Sequence, residues 1–168
     1  GQHRWWVADF NGDGRDELLV HFAGDGNFFL ISCAGGQIGV AHVGTETFGN
    51  LNTPSFGFVV GDFDDDGSAE LLINTSSHPP QWWWGRLMEE RLTFSRPIGV
   101  DRASSGDVNP LLLIAARMDG STKPSLFVHH TSSQPNILDS SIFTFEPNVG
   151  FRESDLTSAG KGGKQVWA

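Results

Sequence analysis

Cysteine is almost missing from this chain of 168 residues: Cys33 stands alone, which excludes an intrachain disulfide framework. It ends the run Phe28-Phe29-Leu30-Ile31-Ser32-Cys33 and is expected to be a small buried hydrophobe rather than a reactive thiol. No apolar run is long enough to span a bilayer, so membrane insertion is not expected. Basic residues are few, 11 Lys and Arg against 20 Asp and Glu, and they form no stretch that could neutralise phosphates. Nucleic acid is therefore a poor partner. HExxH, GxSxG and P-loop strings are missing, and an enzyme is not expected. The adjacent pair His129-His130 would point to opposite faces of a strand, which suits a chelate poorly, and nothing fixes Asp101 and Asp107 as paired carboxylates. The first residues do not read as a secretory leader. A strand-like segment begins almost at Gly1, as expected of a processed product or an excised piece.

What is present points to β-structure. Glycine is the commonest residue, with 21 copies, and there are 8 prolines, neither in a collagen period. Thirteen Phe and six Trp supply large core groups, and the length suits one domain. The expectation is a single all-β domain, residues 1–168, with many turns. Net charge is −9, and the acids are concentrated at two points. Four lie at Asp9, Asp13, Asp16 and Glu17, and five at Asp62, Asp64, Asp65, Asp66 and Glu70. One divalent ion at each point would bring the balance to −5 (−9 + 4).

These two points belong to an internal repeat. Residues 4–21, RWWVADFNGDGRDELLVH, match residues 57–74, GFVVGDFDDDGSAELLIN, at an offset of 53 without a gap. Each copy reads as a short apolar strand, Asp-Phe, a polar loop and a second strand. Segments 26–32 and 80–86 read as third strands, and 37–43 and 91–98 as fourth. A four-stranded unit of about 50 residues has the size of a propeller blade. A third, degraded copy is read at 104–116, with Asp107-Val108 standing for Asp62-Phe63 and Leu111 to Ile114 continuing as the strand. On that alignment 124–130 takes the place of 80–86, and 141–147 is an outer strand. The units are then 1–53, 54–103 and 104–150. Residues 151–168, with Lys161 to Lys164 and Val166-Trp167, form a terminal segment or the start of a further blade.

The spacing within the loops suits a hard cation. Counted from Asp9, oxygen side chains fall at positions 1, 3, 5 and 9: Asp9, Asn11, Asp13 and Glu17. The second loop places Asp62, Asp64, Asp66 and Glu70 at the same positions. Position 7, Arg15 or Ser68, can add a backbone carbonyl. Calcium takes six to eight oxygens at about 2.3–2.6 Å, and Gly14 and Gly67 stand at position 6, where the chain must turn sharply. The first positions resemble an EF-hand, but its position-12 glutamate is replaced by Val20 or Ile73, and no helix flanks either loop, so that motif is rejected. Magnesium seldom uses an all-protein cage. One such string could be an Asx turn in solvent; two at a fixed offset argue for two calcium sites.

On these residues the chain resembles the FG-GAP/VCBS-type calcium-binding β-propeller repeats. Val7 to Val20 and Val60 to Ile73 carry the likeness, Phe56-Gly57 resembles the "FG" of the family name, and Glu17 and Glu70 replace the usual final Asp. The resemblance covers roughly residues 2–98. It implies four-stranded antiparallel blades, structural calcium and an extracellular or secreted setting, as in integrin α-subunit heads, fungal propeller lectins and bacterial secreted or toxin proteins. About three blades are too few for a single-chain ring. The ring would be completed by further copies or by the remainder of a longer chain.

Two non-catalytic functions compete: a binding module for a glycan or protein ligand, and a structural or interaction segment of a larger secreted or toxin protein. An accessory part of an enzyme is the third alternative. For glycan binding, Trp82 and Trp84 share one side of a strand and are the candidate stacking rings, with packed core as their structural alternative.

Overall fold

A computed structural model of the chain describes residues 3–46, 57–75, 81–96, 110–117, 122–131, 138–146 and 149–154. Regular structure among these residues is strand throughout: β1 (His3–Ala8), β2 (Glu17–Phe22), β3 (Asn27–Ala34), β4 (Gln37–Thr45), β5 (Gly57–Gly61), β6 (Glu70–Thr75), β7 (Gln81–Met88), β8 (Arg91–Ser95), β9 (Pro110–Ala116), β10 (Ser125–Thr131), β11 (Leu138–Glu146) and β12 (Gly150–Ser154). They form three four-stranded antiparallel sheets, β1-β2-β3-β4, β5-β6-β7-β8 and β9-β10-β11-β12, none of them closed. The expected all-β class and four-stranded antiparallel units are therefore present.

Pairing follows the expected offset in the first two sheets. Ala8 faces Glu17 across β1–β2, and Gly61 faces Glu70 across β5–β6, each position 53 residues on. The third sheet departs from expectation. Ala116 pairs with Ser125, so β9 is a first strand and the connection 117–124 has eight residues, like 62–69. Leu113 and Ile114 thus hold the places of Phe58 and Val59, and the counterpart of the acidic loop starts at Arg117. The run of leucines was apolar enough to be matched to Glu70-Leu71-Leu72-Ile73, one strand too far along. β12 completes this sheet, so the expected boundary at residue 150 cuts a strand. Asp107, Asn109 and residues 155–168, with Lys161, Val166 and Trp167, lie outside the described residues.

The second sheet is buried on both faces, which explains why Leu71, Leu72 and Ile73 are all fully buried in consecutive positions. Leu71 and Ile73 face the first sheet, packing with Phe10, Leu19, Phe28 and Val43. Leu72 faces the third, with Val59, Trp82 and Trp84 against Leu126, Val128, Phe143 and Phe151. Close approach is built into β5, where a Cβ on Gly57 would collide with Leu113 of β9. Across the other face, the Trp6 ring packs at a tilt of 40° against Phe58 with ring centroids 5.2 Å apart, and the Arg4 guanidinium lies over the same ring.

Two expectations fail here. Trp82 and Trp84 are 2% and 6% exposed and belong to the core between sheets, so neither ring is open to a sugar. Alternation along β7 puts them on one face, but a sheet covered on both sides leaves no face wet. Cys33 is exposed rather than buried, because β3 runs past the core into its hairpin with β4.

Leu72→Ala should destabilise the protein by about 2–5 kcal/mol, since a fully enclosed side chain leaves a cavity. Ile38→Ala, at a site 75% exposed, should stay within about 0.5 kcal/mol. Urea unfolding of the two variants measures the contrast.

Candidate metal centre

Each acidic loop joins the first strand of a sheet to the second and is tied at both ends. At position 2 the ring of Phe10 or Phe63 is buried in the core, and its amide donates to the glutamate at position 9. Phe10 N reaches Glu17 Oε2 at 3.1 Å, and Phe63 N reaches Glu70 Oε2 at 2.9 Å. The first aspartate accepts amides from across the loop. Asp9 Oδ2 takes Gly14 N at 2.7 Å, and Asp62 Oδ2 takes Gly67 N at 3.1 Å. Asp13 N donates to Asn11 Oδ1, as Asp66 N does to Asp64 Oδ1. Arg15 N and Ser68 N donate to Asp13 and Asp66 in the same way. Gly14 and Gly67 have φ of 84° and 93°, the left-handed turn the sharp bend requires.

This folding gathers oxygens. One ligand atom from each of Asp62, Asp64, Asp66 and Glu70 lies within 4.8 Å of the others, and the same holds for Asp9, Asp13 and Glu17. Asn11 stands at the position of Asp64, and its amide oxygen accepts from Asp13 N at 2.8 Å. All donors are hard oxygens, three carboxylates in one loop and four in the other, so the chemistry of both sets fits a divalent cation. The two loops also touch: Ala69 N donates to Asp9 O at 2.7 Å, joining them through the backbone.

The charges are poorly neutralised. Among the described residues, no Lys or Arg forms an ion pair with Asp9, Asp13 or Glu17. Burial pushes Glu17 above the ordinary carboxylate range, with Asp13 and Asp9 adding to the shift. Burial raises Asp64 as well, partly opposed by Arg86. Glu70, 1% exposed, is pushed up to about 8, chiefly by burial, against the pull of the Phe63 amide.

Sequence reasoning missed Arg86. Its Nη2 lies 2.5 Å from Asp64 Oδ2, 2.6 Å from Asp66 Oδ2 and 3.7 Å from Glu70 Oε1, a protein cation standing inside the second oxygen set. The available signal was register: Leu71 pairs with Gly85, so residue 86 stands across from Glu70. In the first sheet Leu18 pairs with Ile31, which puts Ser32 across from Glu17. The third sheet's connection also meets the second loop, through Lys123 Nζ to Asp64 O at 3.4 Å and Thr122 Oγ1 to Asp65 Oδ2 at 3.2 Å.

The elevated Glu70 has a consequence for metal-stripped protein. A carboxyl raised in the folded state contributes stability below its ordinary value of 4.5, and that contribution is lost as pH rises through about 8. Thermal melts of metal-stripped protein should therefore fall between about pH 5 and pH 8.5, and Glu70→Gln should flatten that decline.

Compared with known proteins, the chain matches no family model, no curated protein and no solved structure.

Proposed function

We propose that the chain is a calcium-stabilised module of the β-propeller type, each sheet one blade, working as a non-catalytic binding or scaffold segment of an extracellular or secreted protein. The observation that carries this reading is the matched pair of loops, with oxygen side chains at the same four positions and matching amide hydrogen bonds at an offset of 53 residues. Asp9, Asn11, Asp13 and Glu17 would hold one Ca²⁺, and Asp62, Asp64, Asp66 and Glu70 a second, with the carbonyls of Arg15 and Ser68 assisting. The ion's role is to neutralise charge at the start of β2 and β6 rather than to take part in a reaction. Burial of Trp82 and Trp84 favours a protein partner or scaffold over the glycan-binding form of the module.

Calorimetric titration of metal-stripped protein should reveal two calcium sites. At free calcium about 100 times the dissociation constant, binding to the native state alone adds about 2.7 kcal/mol per site. Asp13→Ala should remove one site and its share of the thermal shift. A melting curve indifferent to calcium and to chelator would end this reading.

The exposed face of the first sheet supports assembly into a larger stack. Trp5 and Val7 are 67% and 56% exposed, and they occupy the positions of Phe58 and Val60, which in the second sheet pack against the first. That face is thus of the kind another blade covers, from a further copy or from the remainder of a longer chain. Sedimentation of the isolated chain should depend on concentration, and Trp5→Glu should abolish the dependence while leaving the fold intact. A folded monomer at all concentrations would contradict assembly by further copies.

A further inference from the structure

The two acidic loops share their hydrogen bonds but differ in what stands across from the closing glutamate. In the first sheet it is Ser32, in the second Arg86. We infer that Arg86 is a built-in counter-cation of the second loop, which must be displaced before that loop takes a divalent ion, so that the first loop fills first. The inference rests on the calcium reading and adds an order of binding to it.

The geometry makes the two cations exclusive. Arg86 Nη2 is within 2.6 Å of oxygens from both Asp64 and Asp66 and 3.7 Å from Glu70 Oε1, three members of the second ligand set. Calcium held by those oxygens at about 2.3–2.6 Å needs the same volume. A guanidinium left beside it would repel it at close range. Withdrawal is sterically open, because the Arg86 side chain is 36% exposed. Its Cζ lies over the Trp84 ring, 5.7 Å from the ring centre, a contact at the long end of the cation–π range that holds the guanidinium only weakly. The first loop has no corresponding cation among the described residues, and nothing needs to leave it. Arg86 therefore does two things: it holds the second loop together without metal, and it weakens that loop's apparent affinity by competing for the same oxygens.

Calorimetric calcium titrations of the whole chain test this with Arg86→Gln and Arg86→Lys. Wild-type protein should bind in two steps, the tighter lost in Asp13→Ala. Arg86→Gln should tighten the weaker step by about tenfold and leave the tighter within about twofold, whereas Arg86→Lys should keep the wild-type order. A weaker step unchanged or weakened further in Arg86→Gln overturns the inference while leaving calcium binding intact. Absence of binding in wild type and variants alike instead removes the calcium reading, and this inference with it. Wild-type protein supplies a second readout in case the variant does not fold. The Arg86 guanidinium resonances in nitrogen-15 spectra should shift with the second equivalent of calcium, and resonances that stay fixed through saturation would also overturn it.

Discussion

Like charges brought within a few ångströms in a partly buried place repel, and this chain builds that situation twice. Strand β6 begins at Glu70, a side chain with almost no exposure, and the loop before it curls so that three aspartates aim at the same point. Folding the sheets therefore forces the carboxylates together, whatever neutralises them. Backbone amides supply part of the compensation: Asp62 accepts from Asp66 and Gly67, and Glu70 accepts from Phe63. They do not suffice, since Glu70 remains strongly biased towards its neutral form. A dication in each loop, and Arg86 in the second, are the two ways the chain's own residues allow the deficit to be met.

The same loops organise the packing of sheets. The Asp9 carbonyl accepts from Ala69, and Asp64 and Asp65 receive Lys123 and Thr122, so the second loop is tied to its neighbours on both sides. Phe10 and Phe63 extend each loop into the two cores, one on either face of the second sheet. Loosening of a loop would thus be felt in the inter-sheet contacts. That coupling would carry the effect of an ion held in either loop to the packing of the sheets.

The first two sheets were legible because local signals agreed. Asp-Phe, a glycine-turned polar loop and Glu-Leu-Leu mark the first hairpin of each, and the later strands are bounded by turn residues. The third sheet was misread because its connection has lost the carboxylates at positions 1 and 9, held by Arg117 and Ser125, leaving only apolarity to align on. Trp82 and Trp84 were candidates for ligand contact because a strand rule assigns faces without saying which is covered. Only the sandwiching of the second sheet decides it. Arg86 carried no motif, and its role emerges from cross-strand register with Glu70, a long-range property of the pairing. Cys33 followed the apolar run before it, but burial stops where β3 leaves the sheet stack.

On the proposed reading both loops are cation sites made from the same oxygen positions. Crystals grown with calcium, measured at a wavelength where that ion scatters anomalously, test it most directly. The expected result is one anomalous peak in each loop at about 2.3–2.6 Å from the oxygens of Asp9, Asn11, Asp13 and Glu17 and of Asp62, Asp64, Asp66 and Glu70, with Arg86 turned out of the second set. Loops without a peak, with Arg86 still bonded to Asp64 and Asp66 and only water beside Asp9 and Asp13, would contradict it.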